Sequence, residues 1–146
     1  MKKLLIVLFC MLSLGVMACG KKGNNQKVDE QLPTTARFSN QFAVFWHDFA
    51  FEVNATKGGL KKYKPSAEMI EYYALVKDGR EYYFCGYIMT AGKNFDAEAV
   101  KAMGISLNEM ITDVYTFRCP LKVLPEFVKT AGVKTFEGGK KLKMLH

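Results

Sequence analysis

Histidine is scarce in this 146-residue chain, which contains only His47 and His146. Serine is also rare after the first eighteen residues: only Ser39, Ser66 and Ser106 occur there, and none lies in a Gly-x-Ser-x-Gly setting. Acid–base catalysis, acyl transfer and zinc binding draw on clustered histidine, serine, cysteine and acidic residues. We therefore expect that the chain is not an enzyme. We also expect no catalytic residues, no metal site and no cofactor.

The chain also lacks an apolar run long enough to span a membrane. Its longest, Leu4–Val16, falls short of the roughly 20 residues that a spanning helix needs. Lys2 and Lys3 precede this run and the small Ala18 follows it, a pattern typical of a secretory signal peptide. We therefore expect residues 1–18 to direct export and to be removed.

Cys19 follows the expected cleavage site, and the run Val16-Met17-Ala18-Cys19 resembles the lipobox of bacterial lipoproteins. The resemblance implies that the Cys19 thiol carries a diacylglycerol, which would anchor the chain in a membrane. In the alternative, Cys19 is an unmodified thiol behind an ordinary secretory signal. Gly20 stands where some lipoproteins have an aspartate that retains them at the inner membrane. We therefore expect the chain to lie in the cell envelope, anchored to the outer membrane and facing the periplasm. Residues 19–33 are largely polar and form the expected flexible tether.

Charge and aromatic content bound the rest of the chain. The formal net charge of +7 is moderate and spread along the sequence, and its densest stretch is Lys57–Lys64. These lysines either attract the phosphates of nucleic acid or acidic lipid or form a solvated loop. We expect no nucleic-acid partner, because an exported protein meets little nucleic acid. Since 49% of the residues are hydrophobic and 13% aromatic, residues 34–146 are expected to fold as a single domain.

Aromatic residues recur at helical spacing after the tether. Phe38, Phe42, Phe45 and Phe49 follow one another at intervals of four, three and four residues, which predicts an amphipathic helix within Thr34–Thr56. Such a stripe packs on a sheet or lies in a membrane interface. We expect packing on a sheet, because the opposite face of this helix is not strongly cationic.

Turn and capping residues divide the remaining domain into short elements. Asp78-Gly79 between two β-rich runs predicts a hairpin, and Pro125 suits the first turn of a helix. The expected order is a hairpin over Met69–Thr90, a helix over Asp96–Met103, a strand within Ile105–Arg118, a helix restarted at Pro125 and a strand over Val133–Phe136. This order predicts an α+β fold, with an N-terminal amphipathic helix and a mainly antiparallel sheet that carries two short helices on one face.

Two cysteines and several tyrosines fall in the predicted strands. Cys85 and Cys119 form a disulfide outside the cytoplasm or stay as buried thiols. Tyr72, Tyr82 and Tyr87 lie on opposing strands of the predicted hairpin, where they bind a ligand by stacking or form sheet-stabilising pairs beneath a helix. The sequence leaves both alternatives open.

One stretch resembles a known family. The runs Thr112–Leu121 and Ala131–Lys134, together with Gly104-Ile105, are similar to the N-terminal prodomain of bacterial subtilisin-like serine peptidases. The resemblance covers about Ala97–Met144 and implies half of a ferredoxin-like fold. Cys119 is a departure, because the family has an aliphatic residue before the proline.

No peptidase motifs accompany this stretch, so the resemblance implies a stand-alone module. Such modules lay a sheet against the peptidase and send their C-terminal segment into its cleft, which would make Lys143, Met144, Leu145 and His146 a product-like tail that binds by β-addition. We therefore expect a non-enzymatic, membrane-anchored protein-binding module that acts as a prodomain-like inhibitor or chaperone of a secreted peptidase. The alternative is an envelope lipoprotein that binds glycan, lipid or peptide through an aromatic sheet face.

Overall fold

The computed structural model describes residues 26–138, in which short strands alternate with helices. Single 3-10 turns lie at Gly59–Lys61 and Gly92–Asn94. The strands and α-helices follow in the order β1 (Arg37–Phe38), α1 (Asn40–Ala55), α2 (Ala67–Tyr72), β2 (Val76–Asp78), β3 (Glu81–Thr90), α3 (Ala97–Ala102), β4 (Ser106–Ile111), β5 (Val114–Pro120), α4 (Leu124–Phe127) and β6 (Val133–Gly138). These elements confirm the predicted α+β class.

Helix α1 forms within the predicted range, but it begins at Asn40, so Phe38 of the predicted stripe lies in β1 instead. Ser39 caps it, because the Ser39 hydroxyl accepts a hydrogen bond from the Phe42 amide at 3.2 Å. The aromatic stripe of α1 packs on the sheet, and the ring of Phe45 stacks on that of Phe84 in β3 with 4.1 Å between centroids. Burial of this stripe, rather than helix propensity, is the main source of its stability.

The sheet has the strand order β1-β6-β3-β5-β4, and β2 pairs with the N-terminal half of β3. Only the short β1–β6 pair is parallel, so the sheet is mainly antiparallel, as predicted. Strand β5 lies between β3 and β4, and β3 lies between β5 and β6. The segment from β3 to β6 therefore has the βαββαβ connectivity of a ferredoxin-like fold, with two split βαβ units.

The hydrophobic core lies on one face of this sheet. Along β3, Phe84 and Ile88 are buried whereas Cys85 and Tyr87 are exposed, because successive strand residues point to opposite faces. All four helices contribute to the buried side, which includes Met69 of α2, Val100 of α3, and Leu124 and Phe127 of α4. The second face of the sheet carries no helix within the described residues.

The chain between α1 and β3 differs from the predicted hairpin. Tyr72 lies in α2 rather than in a strand, and this helix is capped by Ser66, whose hydroxyl accepts from the Met69 amide at 3.2 Å. Asp78 pairs with Glu81, so the hairpin turn is one residue later than expected. Strand propensity of the tyrosines favoured the wrong element because tertiary packing overrides such weak preferences.

The predicted strand within 105–118 is in fact a hairpin of β4 and β5. Ile111 pairs with Val114, and Asp113 in the turn has φ of 65°, a left-handed conformation that Asp tolerates better than most residues. The helix expected over 96–103 is confirmed as α3, since the Asp96 carboxylate accepts from the Ala99 amide at 3.0 Å. The helix restart near Pro125 is also confirmed.

The N-terminal segment joins the domain earlier than the predicted tether allowed. The side-chain amide of Asn54 in α1 binds both backbone groups of Val28, each at 2.9 Å. The indole N–H of Trp46 donates to the Asp29 carbonyl at 3.0 Å, and the Val28 side chain is buried. The tether boundary at residue 33 is therefore corrected, because the described chain is attached to α1 well before it.

Several predicted features lie outside the described residues. They are the signal 1–18, Cys19, and the tail residues Lys143, Met144, Leu145 and His146. Within 26–138, each helix is too short or too polar to cross a bilayer.

Candidate functional site

The helix-free side of the sheet forms one continuous surface, which we call the open face. Strand register places side chains of the central strands next to one another there. Its central members are Tyr83, Cys85, Tyr87 and Met89 of β3 and Val114, Thr116 and Arg118 of β5. Met89 and Tyr87 are exposed, as expected for an uncovered sheet.

Arg118 is the most constrained side chain of the open face. Its guanidinium carbon lies 4.1 Å from the centre of the Tyr83 ring, a cation–π contact. Its Nη2 donates to Asp78 Oδ2 at 2.9 Å. Arg118 Nε is buried without a hydrogen-bond partner among the described residues. The guanidinium is thus held in place while one of its donors remains free.

Cys85 and Cys119 do not form the disulfide that the sequence left open as one of two alternatives. Cys85 is paired with Arg118 and is exposed on the open face, whereas Cys119 is paired with Phe84 and is buried in the core. The two side chains therefore point to opposite sides of the sheet, and both thiols are free. Burial raises the pKa of the Cys119 thiol. Partial burial also raises the pKa of Cys85, against the opposing effect of Arg118, so neither thiol is an activated nucleophile.

The three tyrosines for which ligand binding was one of two alternatives do not come together. Tyr72 is 70% exposed on α2, Tyr82 packs against the core on the helix-covered side, and only Tyr87 lies on the open face. The Tyr87 hydroxyl donates to Glu137 of β6, which raises the pKa of Tyr87. The described residues therefore do not form the aromatic platform that was one of the two alternatives.

Sequence reasoning missed Tyr83 and Arg118. A period-two count along β3 would have placed Tyr83 on the same face as Cys85 and Tyr87. Nothing local indicated Arg118, because its position beside Tyr83 depends on the pairing of β3 with β5.

A second candidate surface is a groove of about 820 Å³ between α1 and α2, which we call the acidic groove. Phe51 and Tyr72 contribute exposed aromatic surface. No lysine or arginine of the described chain lines it, although the whole chain is basic. Its carboxylates belong to Asp48, Glu52, Glu68 and Glu71.

Two tyrosine hydroxyls hold carboxylates at the rim of the acidic groove. Tyr63 donates to Glu52 Oε2 at 2.8 Å, and the Ser66 amide donates to the same oxygen at 3.2 Å. Tyr73 donates to Asp48 Oδ2 at 2.5 Å. Burial first, and then the adjacent carboxylate, raises the pKa of both tyrosines above the usual value. These bonds connect α1 to the loop and helix that follow it.

Replacing Tyr63 and Tyr73 with phenylalanine is expected to flatten the alkaline limb of the stability curve. Because the folded-state pKa of each tyrosine is raised, its contribution is complete below about pH 10 and is lost as the pH rises further. At pH 7 each substitution should cost about 1–2 kcal/mol in the free energy of unfolding. Denaturant unfolding at several pH values measures both effects.

Tyr72→Phe is the matched control, because Tyr72 is exposed and donates no hydrogen bond within the described structure. It should leave the curve unchanged. Parallel curves for the wild type and the double variant between about pH 9 and 11 would contradict the assigned bonds.

A third surface is a groove of about 370 Å³ beside the loop after α1, which we call the basic groove. Its lining includes five cations and one carboxylate, Glu81, which binds Lys122 at 2.5 Å. The other four cations are Lys61, Lys62, Lys64 and Arg80. Their side chains have no carboxylate partner among the described residues.

The chemistry of these surfaces favours binding. His47 Nδ1 lies 3.4 Å from Asp48 Oδ1, but both side chains are exposed and no described hydroxyl or thiol is bonded to the imidazole. In residues 26–138, no three His, Cys, Asp or Glu side chains cluster as metal ligands would. That the chain is not an enzyme stays a prediction.

Comparison with known proteins identifies no relative of this chain. The chain matches no protein-family model, and it is not significantly similar to any curated protein or solved structure. A functional assignment therefore depends on the three surfaces themselves.

Proposed function

We propose that this chain is a non-enzymatic lipoprotein of the cell envelope that binds a partner protein on its open face. Lipid on Cys19 would hold it at the outer membrane, on the periplasmic side. A secreted peptidase is the partner that the prodomain resemblance favours, and the chain would then act as its inhibitor or chaperone. The observation that carries the proposal is a helix-free, largely uncharged face on the central strands of a ferredoxin-like sheet.

The composition of the open face supports a protein partner. Strands β3 and β5 contain no lysine, although the chain has 21 Lys and Arg residues in total. Tyrosine, methionine and arginine are enriched at the cores of protein interfaces, whereas lysine is depleted there. Tyr87, Met89 and Arg118 supply the favoured types at the centre of this face.

Arg118 supports a specific contact with a partner rather than non-specific association. Tyr83 and Asp78 already fix its guanidinium, so binding would cost little side-chain entropy. The Arg118 side chain is 38% exposed, so a carbonyl or carboxylate of a partner would accept a charge-assisted hydrogen bond from its guanidinium. Rigid arginines of this kind often contribute most to interface affinity.

The alternative, binding of a sugar by stacked tyrosines, has less support. Arg118 covers one ring face of Tyr83, and Tyr72 and Tyr82 lie on other surfaces. Only Tyr87 would remain for stacking on the open face.

Site-specific photo-cross-linking in the native envelope tests the open face. A photo-reactive residue replaces Thr116, which pairs directly with Tyr87 across β3 and β5, or Glu126 of α4 as the control on the helix side. We expect one defined protein adduct from position 116 and none from position 126. Equal adducts from both positions, or none from either, would contradict the proposal.

Inhibition of the captured peptidase tests the mechanism. We expect Thr116→Arg to weaken inhibition at least about tenfold, equivalent to about 1.4 kcal/mol, and Glu126→Arg to change it less than about twofold. Removing residues 142–146 should weaken it similarly if the tail enters the cleft. Unchanged inhibition after this truncation would remove Lys143, Met144, Leu145 and His146 from the mechanism.

A further inference from the structure

The chain enters the described domain beside the basic groove. The Leu60 amide donates to the Gln26 carbonyl at 3.1 Å, and Leu60 also lines the groove. A side chain at Gly59 would meet the Gln26 carbonyl oxygen at 2.8 Å, so the two backbones touch. The N-terminal attachment point and the lysine-rich wall are therefore neighbours.

Little chain separates this point from the proposed lipid. Only residues 20–25 lie between Cys19 and Gln26. At about 3.3–3.6 Å per residue, the connection from Cys19 to Gln26 cannot span more than about 25 Å. A lipid on Cys19 would thus keep the basic groove close to the bilayer surface.

The cations of the groove match an anionic surface. Lys61 and Lys62 follow Leu60 directly, Lys64 lies on the same loop, and Arg80 reaches the groove from the turn between β2 and β3. All four side chains are exposed and none has a carboxylate partner in the described chain. Ammonium and guanidinium groups form charge-assisted hydrogen bonds with phosphate oxygens.

We propose that the basic groove docks on the phosphate headgroups of the anionic bilayer that holds Cys19. This inference rests on the proposed lipid anchor. Surface attraction of lysine and arginine acts only within about one Debye length, near 8 Å at physiological ionic strength, and the short connection allows the groove to reach that range. The anchor and the groove then act as two linked contacts, which orient the domain on the membrane.

Vesicle binding of the mature chain carrying Cys19→Ser tests the groove without the lipid. This chain retains all of the residues in the hydrophobic core. We expect it to sediment with vesicles containing about 30% phosphatidylglycerol, less so as salt rises, and not with pure phosphatidylcholine vesicles.

The groove variant is Lys61→Gln with Lys64→Gln and Arg80→Gln. We expect its partition coefficient to fall at least about tenfold.

The matched control removes the same charge elsewhere, by Lys93→Gln with Lys129→Gln and Lys134→Gln, all exposed positions. The partition coefficient of this control variant should fall less than about twofold. Equal losses for both variants would overturn the proposal and indicate diffuse attraction. Full competition by about 10 mM inorganic phosphate would also overturn it, in favour of a free-phosphate site.

Failure here is distinguishable from failure of the proposed function. Photo-cross-linking at position 116 reports on the open face, and mass spectrometry of Cys19 reports on the lipid. The vesicle assay requires neither a protein partner nor the lipid.

Discussion

Replacing Phe45 with alanine is expected to lower the free energy of unfolding by about 3–5 kcal/mol. Phe45 is fully buried, and its ring contacts those of Phe84 at 4.1 Å, Tyr73 at 5.1 Å and Phe49 at 5.7 Å between centroids. The substitution removes this buried area and leaves a cavity between α1 and the sheet that rigid strands cannot close. Denaturant unfolding of the mature chain measures the loss.

Phe51→Ala in the same helix is the matched control. Phe51 is 67% exposed and lines the acidic groove, so its loss should change the free energy of unfolding by no more than about 0.5 kcal/mol. A comparable loss for the two variants would show that α1 does not pack through the Phe45 face. Because the residue type and the helix are the same, only burial differs between them.

Gly132→Ala is the second substitution expected to have a large effect, a loss of about 3 kcal/mol or more. Gly132 has φ of 81°, where side chains are strained, and an added Cβ would lie 2.2 Å from the Asn94 carbonyl oxygen. The Ala91 amide donates to the Gly132 carbonyl at 2.7 Å, so this backbone cannot move aside freely. Thermal or denaturant unfolding measures the loss.

Gly104→Ala separates strain from collision. Gly104 has φ of 86° but no atom within 4 Å of an added Cβ, so this variant carries the conformational cost alone, about 1 kcal/mol. Similar losses at the two positions would mean that the loops around Asn94 and Gly132 are not in contact.

The three surfaces have separate roles in the proposed arrangement. The basic groove would face the bilayer, and the open face would remain available to a protein partner. The acidic groove is a stabilising feature in this account, because Tyr63 and Tyr73 use its carboxylates to attach α1 to the following loop and helix.

The spacing of apolar and capping residues is sufficient to predict an element when the whole pattern lies within that element. The spacing of Phe42, Phe45 and Phe49 predicted α1, and Asp96 predicted the start of α3. The α+β class and a mainly antiparallel sheet followed from the order of such elements. Short segments are less predictable: the predicted hairpin places a strand where α2 forms, because a six-residue helix has too few turns to show a helical period.

The order of residues along the chain specifies which segments are apolar on one side, and hence the fold class and the aromatic helix that covers the sheet. Those patterns are local, because each element must bury its own stripe. Which surfaces form depends instead on how the elements pair and pack. The pairing of β3 with β5 places Cys85 and Cys119 on opposite faces of the sheet and sets Arg118 against Tyr83. The hydrogen bond between Gln26 and Leu60 brings the N-terminal segment beside the lysines of the basic groove. Such contacts join residues far apart in sequence, so their geometry depends on register and packing.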